Sequence, residues 1–162
     1  MNPGPTGSPW AIGLSLIAAL LLGLLPLPEW AAALRPPLLI MVLIYWGMAA
    51  PRRVGVGVAW LAGLAHDLLQ GALLGQHALA YALALFAVVK LHQRLRVYPL
   101  WQQSVLVLVL LCLVQSIVLW INAIIGKPAA GAEQWLGVLL GAVLWPWLFL
   151  ALRALRRRQA VQ

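Results

Sequence analysis

Acid is what this chain nearly lacks. Its 162 residues include three carboxylates, Glu29, Asp67 and Glu133, and only Asp67 lies inside a long apolar stretch. Charged residues of all kinds make up 9% of the chain, where a soluble domain carries roughly 25%, so a water-soluble domain is excluded. There is a single cysteine, Cys112, within an apolar run. It can form no intrachain disulfide and reads as a small packing or lipid-facing residue. No pair of histidines has helical HxxxH spacing, and the only acid near His66 and His77 is Asp67, so no metal site is expected. Intramembrane hydrolysis needs a nucleophile with its base, paired aspartates or bound zinc. Ser104 and Ser116 have no histidine beside them in sequence, and no second carboxylate falls in an apolar run. No phosphate-binding glycine loop is present. The expectation is a protein with no catalytic residues and no cofactor.

What the chain does have is apolar length. Hydrophobic residues make up 64% and the mean hydropathy is +0.96, which identifies an integral membrane protein. At about 20 apolar residues per crossing, the length allows about five or six spans. The apolar runs at 10–27, 38–50, 54–69, 76–89, 100–125 and 134–152 predict an all-α, six-helix transmembrane bundle. It would form one transmembrane domain over 10–152, between a flexible, Pro/Gly-rich tail at 1–9 and a basic tail at 153–162. Pro26 and Pro28 are expected to end the first helix, and Pro146 to kink the last. The second run is short for a ~30 Å hydrocarbon core. It is expected to be short and enclosed by its neighbours rather than lengthened through residues 30–35. Gly55, Gly57 and Gly63 are expected to let the third helix pack closely.

The net charge of +8 is distributed in the gaps between these runs. Anionic lipid, not nucleic acid, is therefore the expected counterpart. With six spans, Arg52, Arg53, Lys90, Arg94, Arg96, Arg153, Arg156, Arg157 and Arg158 fall on one side, and only Arg35 and Lys127 on the other. The excess of positive charge then places both termini in the cytoplasm. Five spans would split the basic segments between the two sides. Lys90, His92, Arg94 and Arg96 are expected to form a basic loop.

The most informative stretch is residues 63–79, GLAHDLLQGALLGQHAL. An ionisable group inside an apolar segment is costly and needs a partner. Asp67 has three candidates: backbone N–H groups of the glycine-broken segment at 71–75, a histidine (His66 or His77), and Arg35 from outside. Gly63, Asp67, Gly71 and Gly75 recur every four residues, which on one continuous helix would share a face. The glycines equally suit a turn between the third and fourth helices. Gly63, Asp67, Gly71, Gly75 and His77 are the expected structural or partner-binding residues. Asp67→Asn is expected to be milder than Asp67→Ala, because it keeps an acceptor of nearly the same shape.

The pattern Gly63-Leu64-x-x-Asp67-x-x-x-Gly71-x-x-Leu74-Gly75-x-x-Ala78-Leu79 resembles the central motif of the MreD family of rod shape-determining proteins. Size, span pattern and basic C-terminal tail are also similar over the whole chain. His66 stands where the family usually has an apolar residue. The resemblance implies a bacterial inner-membrane protein with the fold of the substrate-binding S component of energy-coupling-factor transporters. It implies a non-enzymatic role in lateral peptidoglycan synthesis and cell shape. The implied partners are an MreC-like protein, then RodA with a class B penicillin-binding protein, and MreB. Two other readings compete with a scaffold that buries a partner's transmembrane helix. One is a solute-binding S-type transport subunit with a polar pocket under the glycine turn. The other is a lipid-handling protein with a laterally open cavity.

Overall fold

The computed structural model describes residues 8–128 and 131–159. Most of the expected N-terminal tail (1–7), two residues of the gap between the last two apolar runs (129 and 130) and the last three residues of the expected basic tail (160–162) lie outside the described residues.

Among the described residues the protein is all-helical: α1 (Pro9–Leu24), α2 (Glu29–Ala32), α3 (Leu38–Ala49), α4 (Val56–Gln70), α5 (Gln76–Leu95), α6 (Leu100–Ile124) and α7 (Glu133–Gln159). Three of them, α5, α6 and α7, are long and apolar enough to cross a membrane, and α1 and α3 are shorter apolar helices. The segment between α1 and α3, in the gap between the first two apolar runs, holds the one-turn helix α2. α1 ends at Leu24, ahead of Pro26, because the position before a proline disfavours helical backbone.

α3 is the centre of the bundle. Its sequence, LLIMVLIYWGMA, is apolar all round, and a helix without a polar stripe has no face to offer water. Residues 39–48 are all buried, and α3 packs against α1, α4, α5, α6 and α7. At twelve residues it spans about 18 Å, yet its enclosure means that it never has to match a lipid thickness. The expectation of a short, enclosed helix holds. Trp46 Nε1 donates to Ser15 Oγ at 2.8 Å, which satisfies a buried indole and ties α3 to α1. A Cβ on Gly47 would sit 2.6 Å from Leu85 Cδ1, so α3 and α5 approach closely there.

The last carbonyls of α3 are satisfied from another helix. Arg96, just past the end of α5, donates from Nε to the Met48 carbonyl (2.6 Å) and from Nη2 to the Ala49 carbonyl (2.8 Å). This is the favourable pairing of a cation with a helix C-terminus. Arg96→Ala is expected to lower stability by about 1–2 kcal/mol, read as a lower thermal midpoint in detergent.

The basic segments are more helical than the sequence reading had them. α5 runs on to Leu95, so Lys90, His92 and Arg94 lie on its last turns instead of in a loop. α7 runs unbroken through Pro146 and through Arg153, Arg156, Arg157 and Arg158. Lys, Arg and Leu are good helix formers, and cations are favoured at helix C-termini. Charge is also sorted by end. Arg53 lies beside Pro9 and Ile12 at the start of α1, and Arg153 and Arg156 at the end of α7 gather with Arg96 and Met48. Glu29, Arg35 and Glu133 gather at the other end of the bundle with Gln70 and Gln115. The start of α1 and the end of α7 therefore share the basic end.

Candidate functional site

The site is the junction of α4 with α5, the most extensive helix pairing in the protein. α4 stops at Gly71, whose φ of 65° is in the left-handed region that only residues like glycine enter without strain. The N–H groups of Gly71 and Ala72 both return to the Asp67 carbonyl, the latter at 3.0 Å. Gly75, at φ 97°, then opens α5.

A helix start leaves backbone N–H groups without partners. Ordinarily the residue before the first turn supplies a side-chain oxygen, but here that residue is a glycine. Asp67 supplies the oxygens from the neighbouring helix. Its Oδ2 accepts from the N–H of Gly75 (3.0 Å) and of Ala78 (3.4 Å), and His77 N–H lies 3.0 Å from Oδ1 and 3.1 Å from Oδ2. The His77 ring Nδ1 lies 2.7 Å from Oδ1. Asp67 is wholly buried. The carboxylate thus sits against the positive end of the α5 dipole, with hydrogen bonds to both oxygens. One residue closes α4 with its backbone and starts α5 with its side chain.

Gly63 makes this reach possible. It lies one helical turn before Asp67, on the same face. A Cβ there would be 2.5 Å from the Ala78 nitrogen and 2.8 Å from the His77 carbonyl carbon. The two backbones touch at this point. Gly71 and Gly75 have open space around them and serve the turn through their positive φ, so they do not form one packing face with Gly63. Gly57 has nothing within 4 Å, and Gly55 has only an ordinary contact with the Pro51 carbonyl. The expected close packing of the third helix therefore rests on Gly63 among the three. Because the space beside Gly71 is open, its substitutions test backbone conformation alone. Gly71→Ala is expected to cost about 1–2 kcal/mol, and Gly71→Asn distinctly less, since asparagine tolerates this region. Thermal midpoints of the two variants check this.

Of the three partners expected for Asp67, two meet it and one does not. The Arg35 guanidinium donates instead to the carbonyls of Gly23 and Leu25, where it closes the end of α1. Its backbone carbonyl is where a Cβ on Gly137 would land, so α7 is held against the same segment. His66 does not bond to Asp67 either. Its ring stacks on that of His77 at 4.4 Å between centroids, and both stand edge-on to Tyr81, at 5.9 and 5.7 Å. Tyr81 is part of the site and escaped the sequence reading; its signal was the four-residue helical spacing from His77. These rings, with Arg35, Gln70 and Gln115, line a cavity of about 190 Å³. His66 Nδ1 is buried without a hydrogen-bond partner. No group of three or more His, Cys, Asp or Glu side chains among the described residues is placed to hold a metal ion.

Gln103 was also missed, although a glutamine within an apolar run is itself a signal. It is buried, donates from Nε2 to the carbonyls of Leu95 (3.0 Å) and Tyr98 (3.1 Å), and accepts from Trp145 Nε1 at 3.4 Å. α5 is therefore held at both ends by buried polar side chains from other helices, Asp67 at its start and Gln103 at its finish.

Comparison with known proteins bears on this arrangement. The family model described as rod shape-determining protein MreD matches residues 6–155. The chain is similar to the rod shape-determining protein MreD of Haemophilus influenzae, at 33% identity over 142 residues, covering 88% of each chain. No solved structure matches.

Proposed function

Because the chain belongs to the MreD family of rod shape-determining proteins, we propose that it is a non-enzymatic membrane scaffold that seats the transmembrane helix of an MreC-like partner. Through that contact it supports lateral peptidoglycan synthesis, in an assembly that includes RodA with a class B penicillin-binding protein, and MreB. In this reading α1, α3, α4, α5, α6 and α7 make six passes of the bacterial inner membrane. The basic end faces the cytoplasm, in keeping with its excess of arginine, and the glycine turn between α4 and α5 faces the periplasm.

The observation that carries the reading is an apolar groove of about 330 Å³ between α1 and α4, floored by Leu39 of α3. Gly13 and Ile17 form one wall, Leu61 and Ala62 the other. Its small residues admit a helix closely, and the α4 wall is the helix that Asp67 fixes in place. A Cβ on Gly13 meets nothing within 4 Å, so this position separates folding from docking. Gly13→Phe is expected to leave the thermal midpoint unchanged and to cut co-purification of the MreC-like protein by about tenfold or more, given that close helix packing needs small residues. Full co-purification with the groove filled would remove this docking site.

The solute-binding reading has one observation in its favour, the polar lining of the cavity beside His66 and His77. The scaffold reading is preferred because the chain belongs to a family of rod shape-determining proteins. A specific, saturable thermal shift with a vitamin-sized solute would reverse that preference.

A further inference from the structure

The basic end of the bundle contains a second site, unrelated to the glycine turn. We propose that Arg96, Arg153 and Arg156 form a binding site for the phosphate of an anionic lipid headgroup. It rests on the membrane placement of the chain and not on the partner reading.

These three arginines share a cavity of about 270 Å³ with Tyr45, Gln103 and Phe149. Arg96 is held in place by its bonds to the Met48 and Ala49 carbonyls, so its guanidinium is already oriented. Arg153 and Arg156 are one turn apart on α7, and α7 presents both to the cavity. The polar atoms of Gln103 are spent on Leu95, Tyr98 and Trp145. Tyr45 borders the same space.

Among the described residues no carboxylate balances this charge. The chain has three acids: Asp67 is committed to the start of α5, and Glu29 and Glu133 line the cavity at the opposite end with Arg35. Among the described residues, then, nothing supplies the counter-anion. Guanidinium forks match phosphate oxygens in shape and charge, and basic pockets between transmembrane helices on the cytoplasmic side suit phospholipid headgroups. Exposed Val97, next to Arg96 in the chain, offers apolar surface for an acyl chain, which free phosphate would not need. Arg157 and Arg158 lie on the same helix but outside the cavity lining, and they provide a control of equal charge.

The test is titration of the purified full chain, in neutral detergent, with dihexanoyl phosphatidylglycerol, dihexanoyl phosphatidylcholine or inorganic phosphate, followed by tryptophan fluorescence. Phosphatidylglycerol should bind saturably and about tenfold or more tighter than either of the others. Arg153→Gln with Arg156→Gln should weaken that binding about thirtyfold, and Arg157→Gln with Arg158→Gln should leave it unchanged. The single Arg153→Gln variant, at an exposed helix position, should give about a fivefold loss and serves if the pair does not fold. Equal losses from both pairs would overturn the proposal in favour of diffuse attraction to the basic helix. Phosphatidylcholine binding as tightly would overturn the charge recognition, and inorganic phosphate binding as tightly would overturn the lipid source.

Discussion

Asp67→Ala is expected to lose about 3–5 kcal/mol of stability, combining a lost helix cap with several buried N–H groups left unpaired. Against a total stability of about 5–15 kcal/mol, that is enough to deplete the folded protein in cells. The reason is geometric. Both carboxylate oxygens accept, and the donors are backbone groups of Gly75, His77 and Ala78 that cannot turn elsewhere. The same geometry keeps Asp67→Asn milder than Asp67→Ala but raises its expected cost. Asparagine keeps one acceptor but presents an amide NH2 where the second oxygen now meets N–H groups, so two donors face each other. It should fall between the wild type and alanine, at about 2–3 kcal/mol lost, a larger defect than shape alone suggests. Folded yield and thermal midpoint in detergent, measured for the three proteins together, give the ranking.

Gly63→Val is expected to be of similar severity by a different route. The added Cβ would meet the Ala78 nitrogen and the His77 carbonyl carbon, and these are backbone atoms at the start of a helix, with no rotamer to change. The two helices must separate, and separation pulls Asp67 away from the N–H groups that it serves. Overpacking alone costs about 1–3 kcal/mol, and partial loss of the cap adds to it, for about 3 kcal/mol or more in total. Gly63→Ala should show most of the effect, because the first carbon already clashes. The two sites should also be coupled. Once Asp67→Ala has removed the cap, Gly63→Val should cost less than it does in the wild type, and a double-mutant cycle measures the difference.

How far the sequence could be read follows from the kind of signal each feature leaves. Long apolar runs bounded by proline and arginine mark helices clearly, and α3 was recognisable as enclosed because a run too short to span still lacked any polar face. Asp67 was conspicuous as the only acid within an apolar run. Its partners were half legible: the N–H groups and a histidine were among the candidates, but nothing in the linear order distinguished His77 from His66. The glycines were ambiguous because a four-residue spacing fits both a helix face and a broken turn. Only the backbone angles at Gly71 and Gly75 separate them from Gly63. Helix ends were misjudged where arginine and lysine occur, at α5 and α7, because a positive charge signals a membrane surface without signalling the end of a helix. Arg35 was legible as a charge but not as the closure of α1, since the carbonyls it holds lie ten and twelve residues earlier in the chain.

The central claim is that a buried carboxylate on one helix caps the start of the next and so fixes how the two helices meet. The most direct measurement is backbone amide hydrogen exchange in the wild type and in Asp67→Asn. Slow exchange at Gly75, His77 and Ala78 in the wild type, with acceleration there and not in α6 or α7 of the variant, is the predicted result. Equally fast exchange of those three amides in both proteins would contradict it.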